Sequence, residues 1–347
     1  METIIVTGGA GYIGSHTIIE LIEQTDYNIV SIDNFSNSNK ETFERIEKIT
    51  GKSIKNLNVD ICNLEALALA VKSIKNPVGV IHFAAFKSVG DSVLNPLSYY
   101  HNNLNSLINI LHICKTLDIK NFIFSSSCSV YGNVTDLPVT ENTPFSFAES
   151  PYAHTKQIGE EMTSNFTKSK SDFNSVILRY FNPVGAHKSS FNGELSKEKP
   201  NNLVPFITKS ALGILPPLTV FGNDYDTRDG SCIRDYIHVT DIAVAHVKAL
   251  HYIINKKNQE NISIFNLGTG SGVTVLECIQ SFEKVTQQKL NYVIGKRRKG
   301  DVIKIYADNT LAKKELNWIP KFNLDDMMLS AWNWELNLLS KKADLKR

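Results

Sequence analysis

The stretch that decides the fold is TIIVTGGAGYIGSH, at residues 3–16. Its first five residues are apolar or β-branched and predict a buried strand, and a helical pattern follows at residues 13–24. Between them Gly8, Gly11 and Gly14 have the spacing of turns in which the backbone approaches a pyrophosphate. The N-terminus of the following helix adds partial positive charge. We therefore expect a dinucleotide-binding loop.

Alternation of strands and helices continues through the first half of the chain. Further buried strands are predicted at 28–33, 56–60, 78–83, 121–126 and 173–179. Helical patterns lie near 64–74, 97–117 and 152–168. Strands that are apolar throughout, separated by helices, are typical of a parallel sheet covered on both faces.

The pattern changes after Asn182. Up to about residue 235 the chain is rich in Asn, Pro and Gly, which predicts a loop-rich lobe with short elements. Helical patterns return near 240–254, 273–286 and 323–338. We expect an α/β protein: a Rossmann-type doubly wound parallel sheet with a smaller mixed α/β substrate lobe.

Composition excludes several classes of protein. With 37 Lys+Arg and 35 Asp+Glu in 347 residues, the net charge of +2 gives no case for nucleic acid as a partner. The five Cys include no C-x-x-C pair, so we expect neither a disulfide framework nor a metal site. No apolar run approaches about 18 residues, so no membrane partner is expected. Without a visible signal peptide, we expect a cytoplasmic protein.

Asp33 ends the second predicted strand, nineteen residues after Gly14. An acid there can accept hydrogen bonds from the adenosine ribose and would repel a 2′-phosphate. No Arg lies within the next seven residues to bind that phosphate. The sequence therefore favours NAD over NADP.

Tyr152 and Lys156 have the spacing Y-x-x-x-K, which places them on one face of a helix. The spacing alone carries little information, because Tyr252 and Tyr292 are each followed by a Lys four residues later. Tyr152 differs in its context, because Ser127 upstream lies at the carboxyl end of the fifth predicted strand, at the sheet edge where ligands bind. A phenol with a pKa of about 10 needs roughly 4 kcal/mol of stabilisation to ionise at neutral pH. A cation at about 4 Å supplies this only where water is largely excluded.

Several longer motifs carry a resemblance over nearly the whole chain. They are TGGAGYIGSH from Thr7, VIHFAAFKSVGDSV from Val80, FIFSSSCSVYG from Phe122, RYFNPVGAH from Arg179, PNNLVP from Pro200, FGNDYDTRDGSCIRDYIHV from Phe221 and FNLGTGSG from Phe265. In these motifs the chain resembles the UDP-glucose 4-epimerases, which are extended short-chain dehydrogenases/reductases. The resemblance implies a homodimeric isomerase of galactose metabolism. It would interconvert UDP-glucose and UDP-galactose through a 4-keto intermediate with a tightly held NAD.

The resemblance also implies roles for individual residues. Ser127, Tyr152 and Lys156 would be catalytic, with Tyr152 taking the proton of the sugar 4-hydroxyl. The residues implied to bind NAD are Gly8, Gly11, Tyr12, Ile13, Gly14, Asp33, Asn34, Asp60, Ile61, Phe83, Ala84, Lys87, Asn102, Ser127, Tyr152, Lys156 and Phe181. Those implied to bind the UDP-sugar are Ser127, Tyr152, Asn182, Asn202, Leu203, Phe221, Arg234, Arg298, Asp301 and Ile305.

Two departures from the family pattern concern the site. Ala153 and His154 replace the usual Gly-Lys between the Tyr and the Lys, which leaves the pair itself intact. Ile305 stands where the family carries an aromatic or a small residue, so UDP-N-acetylglucosamine becomes a further possible substrate.

Alternatives remain open at this point. A nucleotide-sugar dehydratase would carry an Asp-Glu pair where this chain has Cys128 and Ser129. A catalytically silent NAD-sensing protein would lack one of the three catalytic residues. By domain, we expect residues 1–181, joined by about 238–267, to bind NAD. Residues 182–237 and 268–347 would form the UDP-sugar lobe. The dimer would use the helices near 97–117 and 152–168.

Overall fold

The computed structural model describes residues 1–195, 200, 202–298 and 302–344. Within them the strands are β1 (Thr3–Thr7), β2 (Asn28–Ile32), β3 (Lys55–Leu57), β4 (Pro77–His82), β5 (Asn121–Ser127), β6 (Asn174–Tyr180), β7 (Asn182–Val184), β8 (Leu218–Phe221), β9 (Ile233–His238), β10 (Ile262–Leu267), β11 (Gly272–Thr274), β12 (Tyr292–Gly295) and β13 (Lys304–Ile305). The α-helices are α1 (Tyr12–Gln24), α2 (Glu41–Thr50), α3 (Leu64–Val71), α4 (Val89–Leu94), α5 (Pro96–Thr116), α6 (Pro151–Lys168), α7 (Leu203–Ala211), α8 (Val239–Ile254), α9 (Val275–Thr286), α10 (Thr310–Leu316) and α11 (Leu324–Asp344).

The larger sheet is parallel. Seven of the described strands form it in the order β10-β6-β5-β4-β1-β2-β3. From β1 the chain moves outward to β2 and β3, and then returns to β4 on the other side of β1. In such a sheet this reversal opens a crevice at the carboxyl ends of β1 and β4, where ligands bind.

Apolar side chains of the sheet strands point alternately to two faces. In β1, Ile4 and Val6 pack in one cluster with α1 and α8, whereas Ile5 packs in another with α3 and α5. All three side chains are fully buried, and each such burial contributes about 1.5–3 kcal/mol. Helices thus cover both faces, which confirms the predicted doubly wound parallel sheet.

A smaller mixed sheet follows in the second half of the chain. Among the described residues, β9 pairs with β11 antiparallel and with β7 and β13 in parallel, and β8 pairs with β12 in a separate two-stranded ribbon. A third apolar cluster joins these strands to α7, α9 and α11. The predicted smaller α/β lobe is therefore confirmed as an architecture.

Several elements differ from the sequence-based expectations, since α4, α10 and the sheet strand β10 were not predicted. The third strand occupies Lys55–Leu57 rather than 56–60, because the chain turns at Asp60 and Cys62 before α3. Helix α2 was not predicted, although Gly51 follows it with φ +70° and closes it as helix-ending glycines do. None of the helices within the described ranges combines the length and the apolar character needed to span a bilayer.

Candidate active site

The glycine loop joins β1 to α1 at the crevice. Gly8 has φ +70°, and a Cβ there would lie 2.8 Å from the Ala84 backbone nitrogen, so only glycine fits. A Cβ at Gly14 would overlap the Gly8 carbonyl oxygen. The loop is therefore drawn tightly between β4 and the first turn of α1.

The N-terminus of α1 is arranged to receive an anion. Gly11 is the N-cap residue and has no side chain to cap the helix, so the first-turn amides of Tyr12 and Ile13 are not shielded by a cap. A cavity of about 160 Å³ is lined by Gly11 and Tyr12 and also by Ser38 and Arg45. Polar lining, a cation and a helix N-terminus together suit a phosphate group.

Asp33 is buried at the end of β2, and its carboxylate binds the neighbouring loops. One oxygen accepts from the Ala10 amide at 2.9 Å, and the other accepts from the Phe35 amide and the Ser38 hydroxyl at 2.9 and 2.7 Å. The acid therefore ties the glycine loop to the segment after β2. Its predicted contact with the adenosine ribose remains a prediction, as does that of the exposed Asn34.

The other residues predicted to contact the adenine and nicotinamide ends lie along the carboxyl edge of the sheet. Ile61 is buried, and the adjacent Cys62 thiol donates to the Asn102 carbonyl at 3.5 Å, which joins the loop after β3 to α5. Asp60 is exposed and accepts from the Cys62 amide. Phe83 packs on His246 with ring centres 4.7 Å apart.

Glu194 was not foreseen from the sequence, and it joins the two predicted ligand sites. Its Oε1 accepts from Lys87 Nζ at 2.7 Å and from Asn202 Nδ2 at 2.9 Å. Lys87 belongs to the predicted cofactor set and Asn202 to the predicted substrate set. Glu194 carries no local motif, since only the fold brings the loop after β7 next to Lys87.

Ser127, Tyr152 and Lys156 meet at the carboxyl end of β5. Ser127 is the last residue of that strand, and Tyr152 lies in the first turn of α6. The Ser150 hydroxyl caps α6 by accepting from the Ala153 amide at 3.2 Å, with Pro151 at the first helical position. This cap fixes where the helix begins and hence where the phenol lies.

Burial perturbs both proton-carrying groups. It raises the pKa of Tyr152 to about 12, and the hydrogen bond with Ser127 acts in the opposite direction. Burial lowers the pKa of Lys156 to about 8, while the negative charge of Glu160 opposes that shift. Lys156 Nζ donates to the Ser125 carbonyl at 2.7 Å. In the chain alone Tyr152 is therefore a neutral phenol at pH 7.

The two other Y-x-x-x-K pairs lie elsewhere. Tyr252 is buried in the core on α8, and Tyr292 begins the exposed strand β12. His154, which follows Tyr152 by two residues, is exposed and pairs with Tyr100 at 2.9 Å. The Tyr152–Lys156 pair is thus the one of the three that lies at the crevice.

One wall of the predicted sugar pocket is apolar. Ile305 is 5 % exposed and packs in a cluster with Phe181, Val130 and Val139. Ile305 also pairs in register with Arg234 of β9. Burial raises the pKa of the Cys128 thiol to about 12, so this side chain stays protonated at neutral pH.

Further predicted substrate residues lie on the smaller lobe. Asn182 begins β7, and Phe221 ends β8. Asn202 is the N-cap residue of α7, and Leu203 is the first residue of that helix. The exposed Arg298 guanidinium lies 5.5 Å from the Phe221 ring centre. Asp301 lies outside the described residues.

The sequence of this chain is similar to those of known proteins. A family model described as "GDP-mannose 4,6 dehydratase" matches residues 5–330. A UDP-glucose 4-epimerase of Dictyostelium discoideum is 46 % identical over 334 residues, covering 96 % of each chain.

Solved structures agree with these sequence matches. A UDP-glucose 4-epimerase from Stenotrophomonas maltophila, with bound NAD and formylated UDP-arabinopyranose, superimposes with a TM-score of 0.94 at 40 % identity, covering 98 % of this chain and 100 % of the other. The Bifidobacterium longum enzyme, in complex with NAD⁺ and UDP, gives 0.91 at 42 % identity, covering 96 % and 98 %.

A doubly wound sheet, a glycine loop and a Ser-Tyr-Lys group at the crevice define an extended short-chain dehydrogenase/reductase. The identities above are spread over almost the whole chain, beyond what a shared cofactor fold requires. The chain belongs to the UDP-glucose 4-epimerase family, and the resemblance drawn from its motifs is confirmed.

Proposed function

We propose that this protein is an isomerase that interconverts UDP-glucose and UDP-galactose by NAD-dependent epimerisation at C4. The observation that carries the proposal is the position of Ser127, Tyr152 and Lys156. They lie at the carboxyl edge of the sheet, in the crevice that the uncapped N-terminus of α1 enters. The two solved relatives contain NAD, and the glycine loop of this chain has the shape to receive it.

The proposed NAD site uses the chain's own donors. The amides of Tyr12 and Ile13 would bind the pyrophosphate, and Lys87 would contact the cofactor from its ion pair with Glu194. Bound NAD would supply an acceptor for the hydride from C4 of the sugar and then return it. Gly8 and Gly14 serve this site by keeping the loop backbone close to β4.

Proton transfer is assigned to Tyr152. Its phenol oxygen would take the proton of the sugar 4-hydroxyl and later give it back, so the cycle needs no external base. Ser127 would hold that hydroxyl by hydrogen bonding, and the Lys156 ammonium would stabilise the phenolate. Because the pKa of Tyr152 is about 12 in the chain alone, ionisation requires the closed, ligand-filled site.

The UDP-sugar would lie across the smaller lobe. Arg234 and Arg298 suit a diphosphate by charge and fork geometry, and Phe221 presents an exposed ring next to Arg298. We further propose that residues 1–181, with about 238–267, bind NAD. Residues 182–237 and 268–347 then bind the UDP-sugar, with Asn182, Asn202, Leu203 and Asp301 among the contacts.

The substrate specificity of the enzyme extends, in our proposal, to N-acetylated UDP-sugars. The 4-keto intermediate has to turn over in the pocket, so a substituent at C2 sweeps past the wall that carries Ile305. Isoleucine is smaller than tyrosine and has no hydroxyl, so this wall leaves more room. We propose that UDP-N-acetylglucosamine is a further substrate.

A dehydratase reaction is less well supported. It needs an acid and a base just after Ser127, where this chain has Cys128 and Ser129. The Cys128 thiol has a raised pKa, and a serine hydroxyl does not ionise at neutral pH. A silent NAD-binding protein is disfavoured by the presence of all three catalytic residues.

A homodimer is proposed as the working assembly. The side chains of Val93, Leu94 and Leu97, on α4 and the start of α5, are 58–80 % exposed and make an apolar patch beside α6. Sedimentation of the wild type and of a Leu94→Lys/Leu97→Lys variant tests it. Dissociation of a wild-type dimer by these changes supports the assembly, and a wild-type monomer contradicts it.

The reaction itself is tested with UDP-galactose and purified protein, without added NAD. We expect UDP-glucose as the product, with no net formation of NADH. Turnover that consumes NAD stoichiometrically would identify a dehydrogenase instead. Retained NAD without any turnover would identify a silent binding protein.

A further inference from the structure

A buried ion pair lies directly behind the proposed catalytic helix. Glu160 and Arg179 are 4 % and 3 % exposed. Arg179 Nε donates to both Glu160 oxygens, at 3.0 and 3.2 Å, and Nη2 donates to Oε2 at 2.7 Å. The Ser126 hydroxyl donates to Glu160 Oε1 at 2.5 Å. One carboxylate therefore joins α6 to both β5 and β6.

The residues of this ion pair and its hydrogen bonds are direct neighbours of the proposed catalytic residues. Glu160 lies four residues after Lys156, on the same face of α6. Ser126 immediately precedes Ser127 on β5. A shift of the Glu160 carboxylate would thus move the helix that carries Lys156 relative to the strand that carries Ser127.

The far side of Arg179 extends toward the sugar wall. Its Nη1 donates to the Tyr131 hydroxyl at 2.9 Å and to the Glu141 carbonyl at 3.1 Å. Tyr131 packs in the same apolar cluster as Ile305. The guanidinium therefore links the catalytic helix to the wall of the proposed sugar pocket.

We propose that the Glu160–Arg179 pair is a positioning element of the site, which holds α6 against β5 and keeps the charge around Lys156 balanced. This inference rests on the proposed epimerase function. In this proposal neither Glu160 nor Arg179 contacts substrate or cofactor, and both act through Lys156 and Ser127. A buried pair of this kind adds little net stability compared with an apolar pair of equal volume.

The groups around Lys156 define what a change in charge would do. His82 from β4, the Ser125 carbonyl from β5, and Tyr152 and Glu160 from α6 act on Lys156 directly. Arg179 and Tyr180 from β6 contact its partners Glu160 and Ser125. Burial lowers the pKa of His82 to about 3 and raises that of Tyr180, so both are neutral at assay pH. Glu160 and Arg179 are then the charged neighbours among these groups.

The test compares a single and a double variant by the pH dependence of kcat/KM for UDP-galactose. In Glu160→Gln the Arg179 charge remains, because a guanidinium is not deprotonated in proteins. The added positive potential favours the Tyr152 phenolate. Glu160 and Tyr152 are eight residues apart on α6, about 12 Å along the helix. A unit charge at that distance, with an effective dielectric near 20, moves the acidic limb of the pH profile to lower pH by about one pH unit.

The double variant Glu160→Gln/Arg179→Met removes both charges. We expect the acidic limb to return to the wild-type pH. We expect kcat to stay reduced, because the ion pair no longer holds α6 against β5. A purely structural role would lower kcat in both variants without moving the limb, or would move it equally in both. Either result overturns the proposal.

Two further variants keep the test decisive. Arg179→Lys retains the charge but loses the fork, so we expect lower kcat with an unmoved limb, even if Glu160→Gln fails to fold. A shifted limb in Arg179→Lys would contradict the proposal. Glu277→Gln is the control, because it alters an ion pair at the surface, Arg228–Glu277. In this variant the acidic limb of the pH profile should stay at the wild-type pH.

The wild-type assay separates the two levels of inference. If the wild type does not convert UDP-galactose, the proposed function fails. If it does, and the limb stays in place in Glu160→Gln, only the role of the ion pair is overturned.

Discussion

The Lys156 ammonium lies 5.9 Å from the centre of the Tyr152 ring and donates its hydrogen bond to the Ser125 carbonyl instead of the phenol. Lys156 therefore acts on Tyr152 through space. On titration of the chain alone, Lys156, with a pKa of about 8, loses its proton before Tyr152, with a pKa of about 12. The order can reverse only when ligands fill the crevice and bring further positive charge to the phenol.

The first prediction concerns the proposed base. Tyr152→Phe keeps the ring and removes the proton acceptor, so we expect kcat to fall by at least about 10²-fold, the low end for general acid–base catalysis. Retained NAD, measured after denaturation, should change little. Steady-state assay of UDP-galactose conversion checks the loss.

Matched controls come from the other two Y-x-x-x-K pairs. Tyr252 lies in the core on α8 and Tyr292 on the exposed strand β12, both away from the crevice. Tyr252→Phe and Tyr292→Phe should leave kcat near the wild-type value. Equal losses of kcat at all three positions would contradict the assignment of Tyr152 as the proton acceptor.

The second prediction concerns cofactor retention. The wild type should release about one NAD(H) per chain on denaturation, as expected for one site per doubly wound sheet. Gly11 has φ −73°, which valine tolerates, and a Cβ there meets only the Gly8 carbonyl oxygen, at 3.1 Å. Gly11→Val places methyl groups over the helix N-terminus, and a penalty of only about 1.4 kcal/mol weakens binding tenfold.

The control for that variant is Gly90→Val. A Cβ at Gly90, on α4, meets nothing within 4 Å. Nucleotide content should fall in Gly11→Val and stay unchanged in Gly90→Val, and the melting temperatures of the two proteins should be similar once nucleotide has been removed from both. Full NAD content in Gly11→Val would place the pyrophosphate elsewhere.

The third prediction concerns sugar breadth. We expect the wild type to epimerise UDP-N-acetylglucosamine as well as UDP-glucose, and Ile305→Tyr to lower kcat/KM for the acetylated sugar selectively. A misfit of a single methylene in a pocket is worth about 1–3 kcal/mol, or roughly 10–200-fold, and the change from isoleucine to tyrosine is larger than that. A wild type inactive on the acetylated sugar, or an unchanged ratio in Ile305→Tyr, would show that this wall does not set the specificity.

The fourth prediction concerns the dependence of stability on pH. The pKa of Lys156 falls from its ordinary value of 10.5 to about 8 on folding. Its contribution to the free energy of unfolding is therefore fully present above pH 10.5 and is lost as the pH falls through 8. The difference between the two limits is about 3 kcal/mol.

Urea unfolding of nucleotide-free protein at pH 7 and pH 10.5 measures this effect. Relative to Lys156→Met, the wild type should gain about 3 kcal/mol of unfolding free energy over that interval. Lys289→Met serves as the control, because that side chain is 90 % exposed. A wild type that gains nothing relative to Lys156→Met would mean that Lys156 is not held in a desolvated site.

Local patterns in the sequence determined the main architecture. The apolar run Thr3–Thr7, the following glycines and the helix to Gln24 act over neighbouring residues, so their structure can be predicted from the chain alone. Repetition of the strand–helix unit then determined the parallel sheet. The position of Tyr152 near the start of a helix was also visible, because Ser150 and Pro151 are local signals of a helix N-terminus.

Contacts between distant segments were decided only by the tertiary structure. The carboxylate of Glu194 meets Lys87 across 107 positions of the chain, and Arg179 reaches Tyr131 across 48. Neither pair has a spacing that a helix or strand would impose. The same holds for the pKa of Tyr152, since burial and neighbouring charge depend on which side chains the fold packs around the phenol. The sequence therefore determined the kind of protein, whereas the fold decided the electrostatic environment in which its residues would act.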